Sequence, residues 1–208
     1  MKVLLINGSP HVEGCTYTAL REVADQIELA GIETELMHVG VMPVNGCTGC
    51  GFCTKHQRNM CVFMKDPVND ALEKSKEADG IVIGSPVHYA GPSGMAKSFF
   101  DRFFHAGLYF RNKPGAAIVS CRRGGATTAL DQLNKYFMIK EMNLVASQYW
   151  NMVHGHTPDE VRQDLEGMQT MRVLGRNLAW LLKSIDAGRA AGIPSPETEP
   201  REKTNFIR

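Results

Sequence analysis

Three observations predict an α/β protein built on a doubly wound, three-layer, five-stranded parallel sheet. Short runs such as Val3-Leu4-Leu5-Ile6, Gly80-Ile81-Val82-Ile83-Gly84 and Gly115-Ala116-Ala117-Ile118-Val119-Ser120 are apolar throughout, as parallel strands covered on both faces are. A stretch of helical periodicity follows each run, and a parallel crossover needs such a helix. Turns rich in Gly, Ser and Pro close the runs at their carboxyl ends. The 208 residues suffice for one buried core. We expect one domain over residues 1–186 and an extended, proline-rich, charged tail over 187–208.

The first strand leads into Asn7-Gly8-Ser9-Pro10-His11-Val12-Glu13-Gly14-Cys15-Thr16, a glycine-punctuated turn and helix start. Helix N–H groups without intrahelical partners, together with the helix dipole, can hold a phosphate there. The alternative is an ordinary strand-to-helix turn with Thr16 as cap. The loop is neither a Walker A sequence nor a G-x-G-x-x-G fingerprint. Ala19, Leu20, Val23, Ala24, Ile27 and Ala30 make a helical stripe from about Thr16 to Ala30, with Gly31 at its end. Glu33 to Val39 reads as the second strand, and a long cysteine-bearing loop follows. Asp66-Pro67 signals a helix start, continuing to Ala78. The third strand should stop at Ser85-Pro86.

From Ser93, Met95, Phe99, Phe100, Phe103 and Phe104 share adjoining turns of one helix, as core or as a subunit contact. The fourth strand is Gly115–Ser120, and a helix follows from Thr127 to Glu141. Leu144 to Trp150 is the expected fifth strand. Pro158 to Ile185 is expected as one long helix with Val161, Leu165, Met168, Leu174, Leu178, Leu181 and Ile185 inward.

The charge balance of 23 Lys+Arg against 22 Asp+Glu leaves +1, which provides no basic field for nucleic acid. No apolar run has the length of a membrane span and no signal peptide is evident, so a cytoplasmic protein is expected. In a reducing compartment the six cysteines are expected as metal ligands or free thiols rather than disulfides. Four of them form Cys47-x-x-Cys50-x-x-Cys53-x7-Cys61. Four thiolates so spaced can surround a [4Fe-4S] cluster, hold zinc, or stay reduced. Ligands of doubly wound sheets bind beyond the carboxyl ends of the strands. The loops that matter are therefore Gly8–Thr16, Ser85–Gly91 with His88 and Tyr89, and Ser120–Gly125 with Arg122 and Arg123.

These residues resemble the flavodoxin-like NAD(P)H-dependent FMN reductases, and among them the iron-sulfur flavoprotein branch. The resemblance is carried by Gly8-Ser9-Pro10 with Thr16, the four-cysteine spacing, Gly84-Ser85-Pro86-Val87-His88-Tyr89, Lys97 with Asp101-Arg102, and Leu174-Gly175-Arg176-Asn177. It covers residues 1 to about 185 and implies bound FMN. The phosphate would lie on Ser9, Gly14, Cys15 and Thr16, beside His11. The ring would lie against Ser85, Pro86, Val87, His88 and Tyr89 and against Ser120, Arg122 and Gly124. Cys15 stands where the family commonly has asparagine.

The implied activity is an oxidoreductase in which electrons pass through flavin N5, taken from NAD(P)H or a ferredoxin-type donor. They go to a quinone, nitro or azo compound, free flavin or a redox protein, and no side-chain acid, base or nucleophile is required. Arg122 or Arg123 would stabilise negative charge on the reduced ring, attract nicotinamide phosphates, or be merely solvated. An electron carrier using a cluster on Cys47, Cys50, Cys53 and Cys61 is the alternative, and a ligand-free scaffold a third class. The resemblance implies a homodimer or homotetramer.

Overall fold

The computed structural model describes residues 1–56 and 58–206. The last two residues of the expected tail, Ile207 and Arg208, lie outside the described residues. In chain order the elements are β1 (Lys2–Asn7), α1 (Cys15–Leu29), β2 (Glu33–His38), α2 (Phe52–His56), α3 (Val68–Glu77), β3 (Gly80–His88) and β4 (Gly91–Pro92). There follow α4 (Gly94–Ala106), β5 (Pro114–Cys121), α5 (Ala126–Ile139), β6 (Asn143–Leu144), β7 (Met152–His154), α6 (Pro158–Gln163) and α7 (Leu165–Ala190).

The sheet runs β2-β1-β3-β5-β6, with β7 also on β5, and all of these pairings are parallel. Alternation along the strands divides the core in two. Val3, Leu5, Val82 and Ile118 face one layer with α1 and α7. Leu4, Ile6, Ile81 and Ile83 face the other, with α3, α4 and α5. Phe99, Phe100, Phe103 and Phe104 of α4 are fully buried there, so the aromatic stripe is core. Each such ring contributes about 1.5–3 kcal/mol by burial. No helix among the described residues is long and apolar enough to cross a membrane.

Four expectations are corrected. The fifth strand is not Leu144 to Trp150 but two short pieces, β6 and β7, on one edge of β5. Val145 N–H still reaches Gly115 O at 2.9 Å, but the next β5 carbonyl, Ala117 O, accepts from the Asn151 side chain at 3.1 Å. The chain between them makes an outward excursion carrying the exposed Tyr149 and Trp150, whose rings meet edge-on. The third strand does not stop at Ser85-Pro86 but runs to His88, because residues 87–88 pair antiparallel with β4. The long last helix is broken at Asp164, whose carboxylate caps α7 by accepting Gly167 N–H at 3.0 Å. Leu165, at the start of α7, is therefore exposed, while Met171 and Leu182 are buried.

Helix α3 starts at Val68, with Asp66 Oδ1 accepting its N–H at 3.2 Å. Helix α7 ends at Ala190, and the segment beyond it reaches its own chain, where Arg111 Nη2 donates to Glu197 O at 2.6 Å.

Candidate functional site

The first loop is fixed by strand residues around it. Asn7, fully buried at the end of β1, accepts Ser9 N–H at 3.0 Å and donates Nδ2 to Val12 O at 3.1 Å. Gly8 N–H donates to Gly84 O at 2.9 Å, Ser93 Oγ donates to Gly8 O at 3.1 Å, and Ser9 Oγ accepts His11 N–H at 3.1 Å. His38 Nε2 lies 2.7 Å from Ser9 O, and since a carbonyl can only accept, that nitrogen carries the proton. A Cβ on Gly40 would stand 1.9 Å from Ser9 O, so the chain leaving β2 presses against the loop.

Helix α1 begins at Cys15 with Gly14 as an extended N-cap and no side-chain cap. The N–H groups of Cys15, Thr16 and Tyr17 find no acceptor among the described residues. The first turn carries no acidic side chain of its own, so the partial positive charge of the helix start is retained there. The Thr16 hydroxyl is buried and hydrogen-bonded to Ser120 Oγ at 2.8 Å, tying α1 to β5. Cys15 Sγ donates to Gly155 O at 3.7 Å, and burial pushes its thiol pKa up. Cys15 is thus a protonated packing group at neutral pH. His11 is exposed.

The loops after β3 and β5 close on the first. Ser85 is fully buried, accepting Ser93 N–H at 3.0 Å and donating to Pro86 O at 2.9 Å. Its hydroxyl therefore shapes the loop and is not offered outward. Pro86 and Val87 are half-buried and His88 is exposed. Tyr89 and Ala90 both have positive φ, 50° and 58°, and form the tight β3–β4 turn with the Tyr89 ring in solvent. Gly125, at φ 90°, has room for no Cβ, which would meet Ala90 Cα at 2.7 Å. The third loop thus lies on the hairpin, with Arg122, Arg123 and Gly124 exposed. All three loops meet at the carboxyl ends of β1, β3 and β5, where strand order reverses.

The cysteine loop leaves β2 beside this edge and holds little regular structure beyond α2. Cys47 and Cys50 are exposed, Cys53 is buried and Cys61 half-buried, and none is in a disulfide. All four line one cavity, whose walls include Phe52, Phe63 and Arg102. Among the described residues no three His, Cys, Asp or Glu side chains stand in a metal-ligating arrangement. Burial raises the Cys53 thiol pKa, and the neighbouring Cys61 and Cys47 raise it further. Arg102 Nε donates to Cys61 Sγ at 3.2 Å.

Sequence reasoning passed over His38, Ser93 and Gly155, and it gave Asn7, at the head of the first turn, no role. The three are remote in sequence from the loop they fix, and the partners of Asn7 are set by the shape of the turn, so no local signal marks them.

A parallel sheet in this order, with loops converging on unpaired helix N–H groups at the switch point, defines a mononucleotide-binding α/β protein. A solved archaeal flavodoxin has the same fold, with a TM-score of 0.60 at 17% identity, covering 88% of this chain and 99% of that one. The chain belongs to the NADPH-dependent FMN reductase family, whose model matches residues 1–157. An iron-sulfur flavoprotein of Methanocaldococcus jannaschii is 36% identical over 194 residues, 89% of this chain and 99% of the relative. One from Methanosarcina thermophila is 28% identical over 197 residues, 91% and 99% of the two chains. The protein is accordingly an FMN-dependent oxidoreductase.

Proposed function

We propose that the enzyme takes electrons from NAD(P)H or a ferredoxin-type donor and gives them to a small-molecule acceptor of the quinone, nitro or azo type, or to a redox protein. The observation that carries this reading is the meeting of three fixed loops around the unpaired N–H groups of Cys15, Thr16 and Tyr17. A phosphate fits there, because donors are free and no acidic side chain stands in the first turn. Ser9, Gly14, Cys15 and Thr16 hold the phosphate. Pro86, Val87, His88 and Tyr89 take one side of the ring, and Ser120, Arg122 and Gly124 another. Bound FMN supplies one- and two-electron exchange, while the protein supplies position and electrostatics. Asn7, His38 and Ser93 hold the loop still, so that little ordering remains to be done on binding. Arg122 and Arg123, exposed beside the site, attract the phosphates of a nicotinamide donor.

A second reading is favoured by the cavity that Cys47, Cys50, Cys53 and Cys61 line together. Four soft thiols among apolar walls suit a [4Fe-4S] cluster, and the two curated relatives above are called iron-sulfur flavoproteins. With a cluster, the chain acts as a carrier between one-electron and two-electron partners. We further propose a cytoplasmic homodimer or homotetramer, which sedimentation at micromolar concentration tests.

The decisive experiment is a visible spectrum of protein purified without oxygen, with iron and zinc assayed on the same sample. Flavin bands with an iron-sulfur shoulder and about four irons per chain support both readings. Flavin without iron leaves the reductase alone, and zinc in place of iron sinks the carrier. No flavin, even after FMN is added, overturns the site. Bleaching by NADPH identifies the reductase; reduction by ferredoxin alone identifies the carrier.

A further inference from the structure

Arg102 is only 1% exposed, although it carries a full charge. Asp66 takes both of its terminal nitrogens, with Nη2 at 3.2 Å from Oδ1 and Nη1 on Oδ2. Nη1 also donates to Asn45 O and Nη2 to Phe63 O, each at 3.3 Å, and the Phe63 ring lies 4.8 Å from the guanidinium carbon. The remaining donor, Nε, points at Cys61 Sγ from 3.2 Å. Asp66 alone would satisfy the charge. The fork geometry instead locks the guanidinium plane so that its fifth N–H meets a sulfur of the four-cysteine cavity.

We infer that Arg102 is a positioning residue for that cavity, a fixed N–H donor to Cys61 that favours the reduced state of an iron-sulfur centre held there. The inference rests on the cluster reading proposed above. One electron entering such a centre adds one negative charge, spread partly over the thiolate sulfurs, and no bond is broken. A donor held at 3.2 Å in an apolar setting stabilises that added charge, and hydrogen bonds to sulfur raise the potential. A purely structural Arg102 would leave the potential alone.

Two variants separate the roles. Arg102→Lys keeps a cation for Asp66 but cannot also direct an N–H at Cys61. The double variant Asp66→Asn/Arg102→Gln keeps a neutral hydrogen-bonded pair, so the fold is not left with a lone buried charge. Iron content, flavin content and the midpoint potentials of both centres are read by dithionite titration with mediators. The expected result is unchanged flavin, a flavin potential that stays put and a lower cluster potential in both variants. In the double variant the one-electron reduction constant falls at least tenfold, which is 59 mV, and in Arg102→Lys it falls less. Iron loss from the double variant alone, with Arg102→Lys loaded and lowered, supports the same role. An unchanged cluster potential, an equal shift of both centres, or iron loss from both variants overturns it. Native protein without iron overturns this inference and the cluster reading together, whereas loaded native protein with unmoved variants overturns this inference alone.

Discussion

The two loops that face the carboxyl edge of the sheet are built on opposite plans. The loop between β1 and α1 is short and held from several sides by Asn7, Gly84, Ser93 and His38. Its unpaired donors are the N–H groups of Cys15, Thr16 and Tyr17. The loop carrying Cys47 to Cys61 is long, holds one short helix, and is tied at its far end by Asn69, which accepts Cys61 N–H and donates to Cys61 O, and by Arg102, itself in a buried ion pair with Asp66. The first site is a product of topology, and the second depends on a tether. Damage to the tether should therefore spare the flavin site, and damage around Ser9 should spare the cysteines.

The largest expected effect is that of Asp66→Ala. It leaves Arg102 charged, buried and unpaired, which costs about 3–5 kcal/mol, read as a drop in the urea midpoint, with iron content falling further than FMN content. A loss under about 1 kcal/mol would break the tether argument, since that is the scale of a surface pair. Next comes Gly40→Ala, whose Cβ cannot coexist with Ser9 O. The backbone must shift, at about 1–3 kcal/mol, and FMN affinity should fall at least tenfold while iron stays. If iron falls equally, the two regions are coupled and the contrast fails.

Asn7→Ala is expected to cost about 1–2 kcal/mol, because Ser9 N–H loses its buried acceptor while Val12 O can turn to water. A fluorescence titration with FMN should show weaker binding by several-fold, and unchanged affinity would mean the loop does not need pinning. The smallest effect concerns Cys15. Its thiol is raised above the ordinary 9.0 by burial, so in flavin-free protein its alkylation rate should climb with pH to a midpoint above 9.0. Added FMN should suppress it. A midpoint below that value would indicate an activated thiolate and a redox role for Cys15.

Most of the sheet was legible because buried parallel strands announce themselves as unbroken apolar runs. Val3 to Ile6, Ile81 to Ile83 and Ala116 to Val119 all lie in the core. The break in the fifth strand was not, since it depends on the Asn151 side chain taking the place of a backbone donor across the sheet. The β3–β4 hairpin was hidden because Tyr89 and Ala90 occupy a turn where glycine or asparagine is the usual signal. In the candidate site the cysteine spacing and the glycine-serine loop were local and readable. Arg102 is legible as part of a helix and, with Lys97 and Asp101, of the family resemblance, but its link to the cysteine loop is not, because its partners Asp66 and Cys61 lie 36 and 41 residues away.

The interrupted edge of the sheet has a consequence for the protein in a crowded cell. A long open edge offers a row of unused N–H and C=O groups on which a strand from another molecule can add, the first step toward fibrous aggregates. Here that edge consists of the two residues of β6 and the three of β7, separated by an excursion that carries two bulky rings outward. The opposite edge, β2, begins Glu33-Thr34-Glu35 and is held by Lys2 and Lys74, a charged rim hostile to addition. The same irregularity that defeats reading the fifth strand from its sequence thus keeps copies of the sheet from joining end to end.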